Sequence, residues 1–382
     1  MVLYPNRPPP LRVAIVGAGF IGSGLAFALA ARTDMTLSRI VTRRARVVAQ
    51  HLPAGLVTDS VDEAIEHSDL VVECTGDVAY GAEAAVAVLG AGKPLVTIDA
   101  ELQITVGSAL ARRGYVTEAE GDQPGCLAAL LAESRAMGFS PVVLGNMKRF
   151  LNINPTAEDM AHWSARLGTR LRQVVAFTDG TKVNIEQALI ANGLNADLAM
   201  PLGLLGVAAV DLASGADVLA REAAALGVCL SDYVLCPSLP PGIFIVATHD
   251  PAQRTYLEYL GLGKGPNYLL RRDYHLCHLE VAKTLTRVAQ QLPPLLTNGR
   301  SPRYDVCAVA KQELKTGTRL TQGIGSFEVR GVAFRRADFS DLVPIGLLQD
   351  AELRRAVADG EPIKVTDVAL QDTVAHRLWT ER

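Results

Sequence analysis

Near its N-terminus the chain passes from an apolar run, Arg12 to Val16, straight into Gly17-Ala18-Gly19-Phe20-Ile21-Gly22. Three glycines at this spacing, behind a strand and at the head of a helix, suit a backbone that must lie against a dinucleotide. Gly17 would make the tight turn, Gly19 would leave room for a pyrophosphate, and Gly22 would let helix and strand pack closely. The unpaired N–H groups and the positive end of the helix, at Phe20 and Ile21, would then face the phosphates. The alternative is a glycine-rich turn that holds nothing.

The downstream sequence favours the ligand. From Leu11 to Glu120 short apolar runs alternate with helical stretches, the pattern of βαβ units around a parallel sheet. Strands are expected at 12–16, 37–41, 70–73, 95–98 and 115–118, and helices at 21–31, 61–66 and 81–89. Where the second strand ends, dinucleotide domains usually carry an acid for the ribose 2′-hydroxyl; here stand Val41-Thr42-Arg43-Arg44. Guanidiniums would hold a 2′-phosphate, so NADP is expected ahead of NAD, unless Arg43 and Arg44 only solvate a helix start. Thr75 and Gly76, at a later strand end, are expected beside the nicotinamide ribose. Asp99 and Glu101 are candidates for the reacting centre or plain surface acids.

Length and charge bound the rest. With 382 residues, two or three domains are expected. Formal net charge is −3, so no basic field draws nucleic acid or an anionic membrane. Six cysteines without a CxxC pair read as reduced thiols of a cytoplasmic protein and not as a zinc site. Neither a signal-peptide core nor a membrane-length apolar run is apparent. The expected division is a Rossmann domain over 1–125, an α+β substrate and dimerisation domain over 126–300, and a small β-rich domain over 301–382. Gln291 to Pro302 reads as a linker, and the weak echo between 308–320 and 353–368 reads as a β-rich appendage.

Hydride transfer needs a group that handles the hydroxyl proton and positive charge on the developing oxyanion. Lys182 and Glu186, four apart on an expected helix, share a face, with Asp179 placed to cap it and Asn192 at its far end. Lys182 is the candidate acid or oxyanion stabiliser; an ordinary surface ion pair is the alternative. Lys264, between glycines, and His275 are candidates to hold an anionic substrate group, His275 also to shuttle protons, against a turn lysine and a structural histidine. Lys148 is a weaker anion-binding candidate. Glu120 and Asp122 would suit a divalent metal or a cap, which leaves a metal requirement open.

The segment AGKPLVTIDAEL, 91–102, resembles the equivalent strand of homoserine dehydrogenases. Glu120-Gly121-Asp122-Gln123-Pro124-Gly125, Phe177-Thr178-Asp179-Gly180-Thr181-Lys182, Gly263-Lys264-Gly265-Pro266, Tyr274-His275-Leu276 and Asp305 to Lys311 resemble a branch of that superfamily, the deoxyxylulose phosphate reductoisomerase-like (DRL) proteins. The resemblance implies an α/β fold with an N-terminal Rossmann domain, a central α+β catalytic and dimerisation domain and a C-terminal SAF-like β-clip. It also implies a homo-oligomer, and in some members reduction coupled to isomerisation. The chain departs from homoserine dehydrogenases at Ala100, where they carry a lysine, which counts against homoserine as substrate. The expected function is an NAD(P)-dependent oxidoreductase, reductoisomerase or dehydrogenase, of a small phosphorylated or carboxylated polyhydroxy substrate. A homoserine-type alcohol dehydrogenase and a non-catalytic NAD(P)-binding sensor are the alternatives.

Overall fold

Strand β1 (Leu11–Val16) carries four fully buried residues in a row, which a strand tolerates only inside a sheet covered on both faces. The computed structural model, which describes residues 10–43 and 52–381, places it there. With β2 (Met35–Val41), β3 (Val57–Thr58), β4 (Leu70–Glu73), β5 (Leu95–Thr97) and β6 (Val116–Glu118) it forms a parallel sheet of order 3-2-1-4-5-6. That is the Rossmann order, with its switch point between β1 and β4, where ligands bind beyond the carboxyl ends of the strands. Helices α1 (Phe20–Ala30), α2 (Val61–Glu66), α3 (Val78–Gly90) and α4 (Ala100–Ala111) cross between strands. Ser60, Asp77 and Asp99 cap the last three through side-chain oxygens.

Helix α5 (Gln123–Ala136) leads into a mixed five-stranded sheet built on β7 (Ser140–Lys148), with β9 (Leu230–Leu235) parallel and β10 (Gly242–Thr248) antiparallel to it. Strands β8 (Val207–Ala208) and β11 (Tyr268–Arg272) form its edges, and α9 (Leu212–Leu226) packs on one face. Three helices follow β7 in the chain: α6 (Ala157–Leu167), α7 (Leu171–Thr178) and α8 (Thr181–Leu194). α8 is buried at every position from Thr181 to Ala191 and runs through the centre of the molecule.

The 291–302 segment is not a free linker. Leu296 is buried and its carbonyl accepts from Glu118 N at 2.8 Å, while Leu295 N donates to Thr117 Oγ1 at 2.8 Å. Asn298 is buried too, donating to Ser108 Oγ and to the Ile104 carbonyl, so the segment is fastened along β6 and α4. The β-rich C-terminal part is likewise no appendage. Strand β12 (Tyr304–Ala310) is buried at all seven positions and pairs antiparallel with β14 (Val329–Arg335). A strand without a wet face must be covered on both sides, and α8 supplies one cover: Ile185, Ala188 and Leu189 share a core with Tyr304, Val306 and Ala333. Gly331 N donates to Thr181 Oγ1 and Ala333 N to Asn184 Oδ1. Strand β13 (Arg319–Leu320) pairs with β15 (Ala351–Leu353), and that with β16 (Val368–Ala369).

Two late helices complete the first sheet. α10 (Cys277–Ala289) lays Val281, Leu285 and Val288 into the core under β1, and α11 (Val374–Thr380) lays Ala375 and Leu378 against α3 and α4.

Candidate active site

A cleft of about 860 Å³ opens beyond the carboxyl ends of β1, β4, β5 and β6. Ile21, Gly76, Asp99, Glu101 and Asp122 line its sheet side, and Lys148, Lys182, Glu186 and His275 its central side. Residues Thr321 to Ile324, from the C-terminal part, close one end.

The three glycines of the first turn differ in what demands them. Gly17 sits at φ +113, and a Cβ there would stand 2.7 Å from the Cys74 carbonyl oxygen. A Cβ on Gly22 would collide with the Gly17 carbonyl. Gly19 has ordinary extended angles, φ −80 and ψ −164, and the nearest atom to a Cβ there is Arg170 Nη2, 3.9 Å away. Protein packing explains the first and third glycines and leaves the second unexplained. A phosphate lying against the backbone at the head of α1, whose first turn carries no acid, does explain it. The residues present therefore fit a dinucleotide.

Around that loop, Gly76 adopts φ +59 on the cleft wall. Thr75 turns inward instead, donating to Glu73 Oε1 at 2.7 Å and accepting from Asp77 N, so its side chain shapes the loop. Arg43 bonds Asp77 at 2.9 Å and lies over the Tyr80 ring at 4.5 Å, with its side chain mostly exposed. Thr42 is buried, and Arg44 falls outside the described residues.

Lys182 and Glu186 share a face of α8 yet do not pair with each other. The Lys182 ammonium is held by Glu101 at 3.0 Å and Asp122 at 2.9 Å, both just past sheet strands. Burial works to lower the Lys182 pKa, but the carboxylates of Asp122, Glu101 and Glu186 outweigh it and hold it well above its ordinary value. It therefore stays an ammonium at neutral pH, with two of its three donors committed and one to offer. Asp122 is pushed up by burial and pulled down further by Lys182 and His275, so it stays ionised. Glu186 bonds Asn146 at 2.7 Å and Lys148 at 2.8 Å, and Lys148 also bonds Gln123. His275 Nδ1 lies 3.1 Å from the Gly121 carbonyl. That carbonyl can only accept, so Nδ1 carries a proton and donates it there. At and below the cleft wall, burial drives Asp99 and Glu118 well above the usual carboxylate range, with Glu73 and Asp122 respectively adding to it.

Two candidates lie elsewhere. Asp179 is fully buried, accepts from Thr181 N and pairs with Lys311 at 2.6 Å, outside the cleft lining: it is a structural ion pair beneath the helix start. Lys264 stands exposed on the loop before β11 and outside the cleft lining, because its flanking glycines, at φ +92 and +62, serve a turn. Glu120 pairs with Lys283 and Arg272 while Asp122 pairs with Lys182, so the two acids are neutralised separately. Among the described residues no group of three or more His, Cys, Asp or Glu is arranged to hold a metal ion. Sequence reasoning undervalued Lys148 and missed Gln123 and Asn146, since nothing local at the head of α5 or in β7 announces them.

Residues 17–111 match the NAD-binding domain of homoserine dehydrogenase, and residues 121–281 match the catalytic domain of oxidoreductase DRL. This is an NAD(P)-dependent oxidoreductase. The paired matches support the homoserine dehydrogenase-like superfamily. No curated protein matches significantly. Among solved structures, a probable dehydrogenase from Thermotoga maritima is 15% identical, with a TM-score of 0.45 over 75% of this chain and 91% of that one. A UDP-N-acetylglucosamine 3-dehydrogenase from Acidithiobacillus ferrooxidans is 16% identical, with a TM-score of 0.44 over 75% and 92%. A putative myo-inositol dehydrogenase from Sinorhizobium meliloti 1021 is 12% identical, with a TM-score of 0.40 over 75% and 92%. No helix among the described residues is long and apolar enough to cross a membrane.

Proposed function

We propose that this oxidoreductase interconverts an alcohol and a carbonyl on a small, polyhydroxylated, anionic substrate, with Lys182 delivering the proton to the carbonyl oxygen. The observation that carries this is the Lys182 ammonium, held between Glu101 and Asp122 on the floor of the cleft that also contains the glycine turn. A bound nicotinamide supplies or takes up the hydride at the substrate carbon. Lys182 then hydrogen-bonds the substrate oxygen and stabilises the negative charge that develops on it. Asp122 and Glu101 position the ammonium. His275 Nε2 accepts or returns a proton at a neighbouring hydroxyl, and Lys148 and Arg149 face the anionic end. Phe150, Trp163, Leu167 and Phe177 line the mouth and exclude water from the reacting atoms. The separate neutralisation of Glu120 and Asp122 favours plain hydride transfer over a metal-bridged rearrangement.

The glycine turn tests the reading. Gly19→Ala should leave the thermal midpoint unchanged, because the added Cβ comes no closer to a neighbour than the van der Waals distance of 3.9 Å to Arg170 Nη2, yet weaken NADH or NADPH binding at least ~10-fold, the cost of displacing a charge-assisted contact. Titration by nicotinamide fluorescence reads the result. Absence of nicotinamide binding by the wild-type chain would end the proposal.

NADP is the preferred form, since Arg43 can leave its exposed pair with Asp77 for a 2′-phosphate. Arg43→Asp should weaken NADPH roughly 10-fold or more and NADH little, from the worth of a hydrogen bond to a charged group. Equal losses for both nucleotides would remove the phosphate role.

A further inference from the structure

Two guanidiniums from the central part of the chain approach the glycine turn and its neighbour, one of them from the cleft wall. Arg170, at the N-cap of α7, brings Nη2 to 3.9 Å from where a Cβ of Gly19 would stand. Arg172, in the first turn of the same helix, donates through Nη2 to the Gly76 carbonyl and lines the cleft. Gly19 and Gly76 lie past β1 and β4, the two strands that flank the switch point of the sheet. The start of α7 is fixed from behind: Gly325, at φ +76, packs so closely on the Arg172 carbonyl that a Cβ there would overlap it. On the sheet side, Arg43, the cation at the end of β2, is engaged by Asp77.

We infer that Arg170 and Arg172 grip the pyrophosphate of the bound dinucleotide from the wall opposite α1. This rests on the cofactor reading above and extends it to the central part of the chain. The diphosphate carries two negative charges, and the head of α1 offers it only backbone N–H groups and a helix dipole. Planar guanidiniums match phosphate oxygens two at a time, and they meet the diphosphate on the face that the helix leaves open. The cofactor would thereby tie the Rossmann sheet to α7, and through Gly325 to the C-terminal part, before any substrate enters past Trp163, Leu167 and Phe177 at the mouth.

The test titrates the full chain calorimetrically with ADP-ribose, which keeps the pyrophosphate and lacks nicotinamide, and with NADH. Wild type, Arg170→Gln, Arg172→Gln and the double variant are compared. Each single change should weaken ADP-ribose by roughly 10-fold and the double by about 100-fold, as expected for charge-assisted hydrogen bonds. The plot of log Kd against log salt should flatten in the double variant. Arg170→Lys with Arg172→Lys keeps the charge without the fork and should recover part of the loss at an unchanged thermal midpoint. A double glutamine variant that binds ADP-ribose within twofold of wild type would overturn the clamp, as would a loss that follows only a fall in thermal midpoint. If Gly19→Ala weakens NADH while these variants do not, the clamp falls and the cofactor site stands. If wild type binds neither ligand, both fall.

Discussion

Lys182→Met should lower turnover of any alcohol or carbonyl substrate by on the order of 1000-fold, the combined scale of losing a proton donor and an oxyanion contact. NAD(P)H affinity should stay within about twofold, because Lys182 lies across the cleft from the glycine turn. The same change leaves Asp122 and Glu101 facing each other across the space the ammonium filled. Breaking a buried pair from one side costs about 3–5 kcal/mol; these carboxylates keep some solvent contact, so about 2–3 kcal/mol is expected here. Steady-state kinetics over a panel of sugar acids, sugar phosphates and polyols, with denaturant unfolding alongside, checks both numbers. Turnover within tenfold of wild type would show that another group moves the proton.

A comparable loss of stability, without a direct chemical role, is expected from Lys311→Met. Asp179 is fully buried and the Lys311 side chain is only 4% exposed, so water cannot replace the 2.6 Å pair. Leaving that carboxylate alone in the interior should cost about 3–5 kcal/mol of unfolding free energy. Adding Asp179→Leu to Lys311→Met should recover most of it, since an apolar pair of similar volume needs no compensation. Denaturant midpoints of the two single variants and the double one complete the cycle. A double variant no more stable than Lys311→Met would mean that the carboxylate serves something besides its lysine.

Where the chain follows local rules, its sequence was readable. The 61–66 helix and the 70–73 strand stand where the apolar pattern puts them, and the glycine turn opens α1 as its spacing requires. α4 and the first turns of α5 are buried on nearly every side and therefore lack the 3.6-residue alternation that marks a surface helix in sequence. The 291–302 segment carries the Pro and Gly of a linker, and only tertiary partners such as Thr117 and Ser108 reveal that it is bound down. In the site, Lys182, Glu186 and His275 were legible one at a time. Their partners were not: Glu101 stands 81 residues from Lys182, and proximity over that span is a property of the fold. Lys264 misled because glycines that admit an anion look the same as glycines that admit a turn. Arg170 and Arg172 belong to no motif.

The two helices that finish the first sheet come from residues 277–289 and 374–380. During synthesis the cofactor-binding half emerges first, yet its apolar flanks wait for segments the ribosome has still to make. The first sheet is therefore sealed only once residues 277–289 and 374–380 have been made, so its packing cannot close on the preceding stretch alone.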